Sequence, residues 1–175
     1  MKGAIVMRFI PLLVILTISI ISALFINHNI EKFEKRHFYL ISLVYLTFLG
    51  MILFTPISFD GTSVYVMSAG VGHVNLHQLD IIDIGFAENI ILTIPLGFLI
   101  KNLFSHVSVL SMAFTGFMIG SGIETAQYYL SHFFLINRTS DINDVLANAL
   151  GIVIGAILMV TYEYIVNRKA TRFAK

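Results

Sequence analysis

The chain has no cysteine, which excludes a disulfide framework, thiolate catalysis and cysteine-ligated zinc or iron–sulfur centres. Charge is scarce as well. Asp, Glu, Lys and Arg make up 12% of the 175 residues, about half of the roughly 25% carried by a soluble domain. Eleven basic and 10 acidic residues leave a net charge of +1, without the concentrated basic face that nucleic-acid binding requires. The 3 prolines, at positions 11, 56 and 95, are too scattered to mark a linker, and no internal repeat or low-complexity tract is present. What fills the chain is apolar: 57% of the residues are hydrophobic and the mean hydropathy is +0.87. A water-soluble globule is excluded. The apolar residues suffice for about five membrane-crossing helices of about 20 residues each, with no room for a second, soluble domain.

The charge-free runs are Phe9–Ile26, Phe38–Phe59, Ile90–Ile100, Val107–Ile123 and Val145–Tyr162, of 18, 22, 11, 17 and 18 residues. The first, second and fifth are long enough to span unaided. Lys2 and Arg8 precede the first run as they would precede a signal peptide. The run is long for such a segment, however, and no Ala-x-Ala site follows, so a retained helix is expected. The third and fourth runs reach across a bilayer only if their helices extend through polar residues, Glu88 and Asn89 in one case and Glu124 and Gln127 in the other. The sequence therefore predicts an all-α membrane protein, a bundle of five transmembrane helices.

With five crossings, Lys2, Arg8 and Arg138 fall on one side, and Lys32, Lys35, Arg36, Lys101, Arg168, Lys169, Arg172 and Lys175 on the other. Cytoplasmic loops carry the excess of Lys and Arg, so the expectation is an outside N-terminus and a cytoplasmic C-terminus. This divides the chain into a two-helix scaffold with a cytoplasmic loop (1–60), an extracytoplasmic segment (61–84), a three-helix unit (85–167) and a basic cytoplasmic tail (168–175). The extracytoplasmic segment reads Leu76-His77-Gln78-Leu79-Asp80-Ile81-Ile82-Asp83 in its second half, an amphipathic stretch suited to the outer interface.

Two stripes stand out. On the fourth helix Gly116, Gly120, Glu124 and Gln127 share a face, and on the fifth Asp141, Asp144, Asn148, Gly151 and Gly155 do the same. Each contains Gly-x-x-x-Gly, a spacing that lets helix backbones approach closely in lipid, and the two stripes are expected to face each other. That packing would gather Glu124, Gln127, Asp141, Asp144 and Asn148 on the outer side, with Asn89 at a similar depth and Arg138 as the nearby cation. Simpler roles compete. The glycines serve packing, and Asp141 and Asp144 suit the first turn of a helix, with Ser140 or Asp141 as N-cap. Glu124 is the hardest to explain structurally, because a carboxylate inside the bilayer costs about 2.5–3.5 kcal/mol. Its structural alternative is an ion pair with Arg138. Pro95-Leu96-Gly97 reads as a kink or packing notch. His73 and His77 alone lie near the cluster, and no metal or other cofactor is assigned. Asn137-Arg138-Thr139 matches a glycosylation sequon, relevant only in a eukaryotic secretory route.

The series Glu88-Asn89, Ile94-Pro95-Leu96-Gly97, Glu124-Thr125-Ala126-Gln127 and Arg138-x-x-Asp141-x-x-Asp144-x-x-x-Asn148-x-x-Gly151-x-x-x-Gly155 resembles the VanZ-like family over about residues 75–160. Its members are small bacterial membrane proteins, and the name-giving one is associated with resistance to teicoplanin-type glycopeptides. The resemblance implies that Asn89, Glu124, Gln127, Arg138, Asp141, Asp144 and Asn148 occupy recurrent polar positions of the family. Two departures are the Leu at 96, where the family usually has Phe, and Asn75-Leu76-His77-Gln78-Leu79 in place of a Pro-Phe-containing segment. The favoured function is a non-enzymatic accessory whose outward-facing pocket engages a glycopeptide or a lipid-linked envelope precursor. An intramembrane enzyme acting on a lipid-linked phosphate and a structural or transport subunit are the alternatives. No residue sets the oligomeric state.

Overall fold

A computed structural model describes residues 6–59 and 62–173, with side chains through Asn167. Lys2, Asp60, Gly61 and Lys175 lie outside the described residues, as do the side chains of Arg168, Lys169 and Arg172. Five helices long and apolar enough to cross a membrane follow one another: α1 (Ile10–Asn29), α2 (Phe33–Phe54), α3 (Ile84–Leu103), α4 (Val109–Phe134) and α5 (Ile142–Phe173). The two short apolar runs are extended in the direction the sequence requires, α3 through Glu88 and Asn89 and α4 through Glu124 and Gln127. Local chemistry sets the starts. Pro11 sits in the first turn of α1, where its missing N–H has no partner to lose. Asp83 accepts the Gly85 N–H at 3.1 Å, Ser108 the Ser111 N–H at 3.1 Å, and Asp141 the Asn143 N–H at 2.8 Å, each an N-cap bond at the head of α3, α4 or α5.

Four short strands lie between the spans. β1 (Ile57–Phe59) and β2 (Val64–Val66) form an antiparallel hairpin with Ile57 opposite Val66 and Phe59 opposite Val64. β3 (Val74–Asn75) pairs with β4 (Ser140–Asp141), anchored by the Ser140 N–H on the His73 carbonyl at 2.8 Å. Residues 76–83 form turns without helix or strand.

The chain divides into two compact units, the boundary falling within the continuous helix α4. One comprises Met1–Asn75 and Thr125–Ser140. In it α1 and α2 make an antiparallel pair joined by a short turn, tied by the Ser19 and Thr47 hydroxyls at 2.7 Å. The other comprises Leu76–Glu124 and Asp141–Lys175, and there α3, the first part of α4 and α5 interlock. Lipid gives no hydrophobic drive for helices to associate, so close packing must supply it. Glycine makes that possible. A Cβ on Gly116 would lie 2.9 Å from the Ala149 Cα, and one on Gly120 would lie 2.8 Å from the Val145 carbonyl oxygen. On α5, a Cβ on Gly151 would sit 2.4 Å from the Ile90 carbonyl, and one on Gly155 would sit 1.9 Å from that of Ile94.

These contacts correct one expectation. The two glycine stripes do not face each other: that of α4 packs on α5, whereas that of α5 packs on α3. Heptad-like spacing identifies a face, and α5 carries two such faces, with Val145, Ala149 and Ile152 receiving α4 while Gly151 and Gly155 receive α3. Gly97 completes the second seam, since its Cβ would fall 2.1 Å from the Ile152 carbonyl. Pro95-Leu96-Gly97 is thus a packing notch. Below the glycines Met112, Ile152 and Ala156 form a buried cluster covered by Leu96, Ile100, Val107 and Ile119.

Candidate functional site

Five of the seven polar residues singled out in the sequence, Asn89, Glu124, Asp141, Asp144 and Asn148, belong to the unit built on α3, α4 and α5. Their order follows from the helix register. Along the antiparallel α4–α5 seam, Gly116 meets Ala149, Gly120 meets Val145 and Asn148, and one turn on, the Glu124 carboxylate accepts the Asp141 N–H at 2.9 Å. Glu124 is 7% exposed. It therefore acts across the seam as an acceptor for the backbone that enters α5. Asp141 precedes the helix and is its N-cap, while Asp144, half-buried in the first turn, is favoured there by the helix dipole.

Asn148 lies one turn deeper and is fully buried. Its carbonyl accepts the Thr93 hydroxyl of α3 at 3.2 Å, and Thr93 also donates to the Asn89 carbonyl at 2.7 Å. Among the described residues neither the oxygen nor the nitrogen of the Asn148 amide has a hydrogen-bond partner. A buried amide left unsatisfied costs about 1–3 kcal/mol, and native structures keep few such groups. The α4–α5 seam thus runs from a close-packed glycine floor, through this amide, to the carboxylates at its polar end.

The sequence reading missed Asn143. Its Nδ2 donates to the Gln78 carbonyl at 2.9 Å and to Asp141 Oδ1 at 2.8 Å, and its Oδ1 accepts the Asp80 N–H at 2.9 Å. One buried side chain fastens the 76–83 turns to the head of α5. Its position two residues after an N-cap aspartate was the available signal.

Gln127 and Arg138 belong to the other unit. Gln127, 5% exposed, donates to the Leu53 carbonyl at 3.1 Å, while its own Oε1 has no partner among the described residues. Arg138 donates through Nε to the Thr55 carbonyl at 3.2 Å and through Nη2 to those of Ile52 and Ile57. The guanidinium closes the C-terminal end of α2, where orphan carbonyls and the helix dipole favour a cation. Its main chain is locked onto Ser131, whose hydroxyl accepts the Arg138 N–H at 2.9 Å and donates to the Arg138 carbonyl at 3.1 Å. Asn137, at φ 64°, spends its amide on the Gly72 N–H at 3.2 Å and on Ser68 at 3.3 Å, so the sequon asparagine is a structural brace. Arg8 also lies in this unit, buried against three carbonyls. Among the described residues no group of three or more His, Asp or Glu side chains is placed to hold a metal ion.

Five apolar spans, of which the last three carry an acid–amide seam, define a small multi-pass membrane protein. Residues 9–165 match the VanZ/LLP1 family, and the chain belongs to the VanZ-like family. No curated protein and no solved structure matches it.

Proposed function

We propose that this VanZ-like membrane protein is a non-enzymatic accessory of the cell envelope. In this reading the seam of α3, α4 and α5 receives a polar group from a teicoplanin-type glycopeptide or a lipid-linked envelope precursor and lowers the cell's sensitivity to the antibiotic. The observation that carries it is the Asn148 amide, fully buried and, among the described residues, without a partner for either atom. Such a group is costly to keep and earns retention where an incoming donor–acceptor pair completes it. Glu124, Asp144 and Asn89, in the same unit, supply acceptors and an amide on the approach. The weighting of Lys and Arg toward the loops at Lys32–Arg36 and Lys101 and toward the C-terminal tail supports an outside N-terminus and a cytoplasmic C-terminus, which turns the acidic end of the seam outward.

The test is expression in a glycopeptide-sensitive Gram-positive host. The proposal expects the teicoplanin inhibitory concentration to rise relative to the empty vector, with vancomycin measured alongside. Unchanged sensitivity to both, with the protein present in the membrane, rejects it.

A further inference from the structure

The unit that holds α1 and α2 contains a groove of about 370 Å³ lined only by apolar side chains, among them Ile10, Pro11, Val14, Phe54, Ala126 and Phe134. That volume is within the range of small-ligand sites. Its walls are the first turns of α1, the last residue of α2 and one face of the last turns of α4. All three are ends of membrane spans, so the groove lies at one membrane face, within a single leaflet.

A cation is built in beside it. Arg8 stands two residues before Ile10 and is 7% exposed. Its Nε donates to the carbonyl of Leu135, the residue after groove-lining Phe134, at 2.8 Å, and its Nη2 donates to those of Met67 and Ser68 at 2.6 and 3.0 Å. All three partners are neutral carbonyls. The C-terminal dipole of α4 offsets part of the burial cost, yet among the described residues no carboxylate pairs with the charge, and a guanidinium is well suited to phosphate oxygens.

We propose that this groove is a lipid site, holding one acyl chain of an anionic phospholipid whose phosphate lies by Arg8. Apolar burial of a chain there is favourable only when the lipid comes from water. Within a bilayer the selectivity therefore comes from the headgroup, and a preference for anionic over zwitterionic lipid is the signature. The site uses none of the seam residues and stands or falls apart from the proposal above.

The experiment places the purified protein in nanodiscs containing phosphatidylglycerol with a diazirine on its acyl chain, or the matching phosphatidylcholine, and maps photoadducts residue by residue. Lipid-facing Leu24, 66% exposed, is the internal reference. The proposal expects adducts at Ala126–Phe134 above those at Leu24, with phosphatidylglycerol favoured about fivefold. Ala126→Phe should abolish the excess by filling the groove. Val14→Phe fills it from α1 and keeps the test open should the first variant fail to fold. Arg8→Gln should bring the two lipids to equal yield. Groove labelling no higher than at Leu24, labelling indifferent to both fillers in folded protein, or equal yields from the two lipids in the unsubstituted protein would each overturn the proposal.

Discussion

A single methyl group at Gly155 should loosen α3 from α5. Its Cβ would stand 1.9 Å from the Ile94 carbonyl oxygen and 2.6 Å from the Phe98 nitrogen. Both obstacles are backbone, and no rotamer change relieves them. Ordinary contact begins at 3.4 Å, so the helices must part by 3.4 − 1.9, about 1.5 Å, at that level. A gap of about 0.5–1 Å already forfeits a quarter to a half of the dispersion attraction. The contacts opened include Gly97 on Ile152 and Gly151 on Ile90. Overpacking of this kind costs about 1–3 kcal/mol, and the backbone clash places Gly155→Ala toward the upper end. Alanine's better helix propensity returns about 1 kcal/mol, leaving a net loss of about 1–2 kcal/mol. Gly122, on α4, is the control, since a Cβ there meets nothing within 4 Å. Gly122→Ala should be neutral or stabilise by up to about 1 kcal/mol from propensity alone. Unfolding by titration with sodium dodecyl sulfate, followed by helical circular dichroism, measures both. Equal stability of the two variants would refute the assignment of α5's glycine face to α3.

Three other outcomes follow from the same structure. Asn143→Ala removes the tether on Gln78 and Asp80, so residues 76–83 should become sensitive to limited proteolysis, with stability falling by about 1–3 kcal/mol; an unchanged digestion pattern would argue against the tether. Asn148→Leu replaces an unpartnered amide by an apolar group of the same branching, so stability should hold or rise while any antibiotic protection is lost; retained protection would remove Asn148 from the site. The absence of cysteine makes topology directly measurable. Lys32→Cys should react with an impermeant maleimide only in inverted vesicles and Val71→Cys only in intact cells, and the reverse pattern would overturn the proposed orientation.

Much of the fold was legible because bilayer physics is one-dimensional. Span length, charge-free runs and their extension through Glu88, Asn89, Glu124 and Gln127 can be counted along the chain, and Asp141 could be read as an N-cap from its place before an apolar run. Choice of neighbour was not legible. Gly151 and Gly155 announce a face but not that α3 occupies it, since that depends on how three helices share the available room. Arg8 looked like a topology residue because its partners, the carbonyls of Met67, Ser68 and Leu135, are main-chain atoms far along the sequence and leave no side-chain signature. Asn143 escaped for a related reason. Two of its partners are backbone groups of an irregular segment, and no periodicity links the two. At the candidate site, residue types and depth were readable. What the sequence did not disclose is that the Asn148 amide lacks partners, because satisfaction is a property of packing.

Beside the unpartnered Asn148 amide, Glu124 at the polar end of the seam is the second residue proposed to serve a ligand as well as the fold. Glu124→Gln keeps an acceptor oxygen for the Asp141 N–H, 2.9 Å away in the native chain, and removes the charge. The decisive measurement is the teicoplanin inhibitory concentration of a sensitive host expressing Glu124→Gln, at membrane abundance matched to the unsubstituted protein. A ligand-binding Glu124 predicts a return to the sensitivity of the empty vector. Protection equal to that of the unsubstituted protein would contradict it.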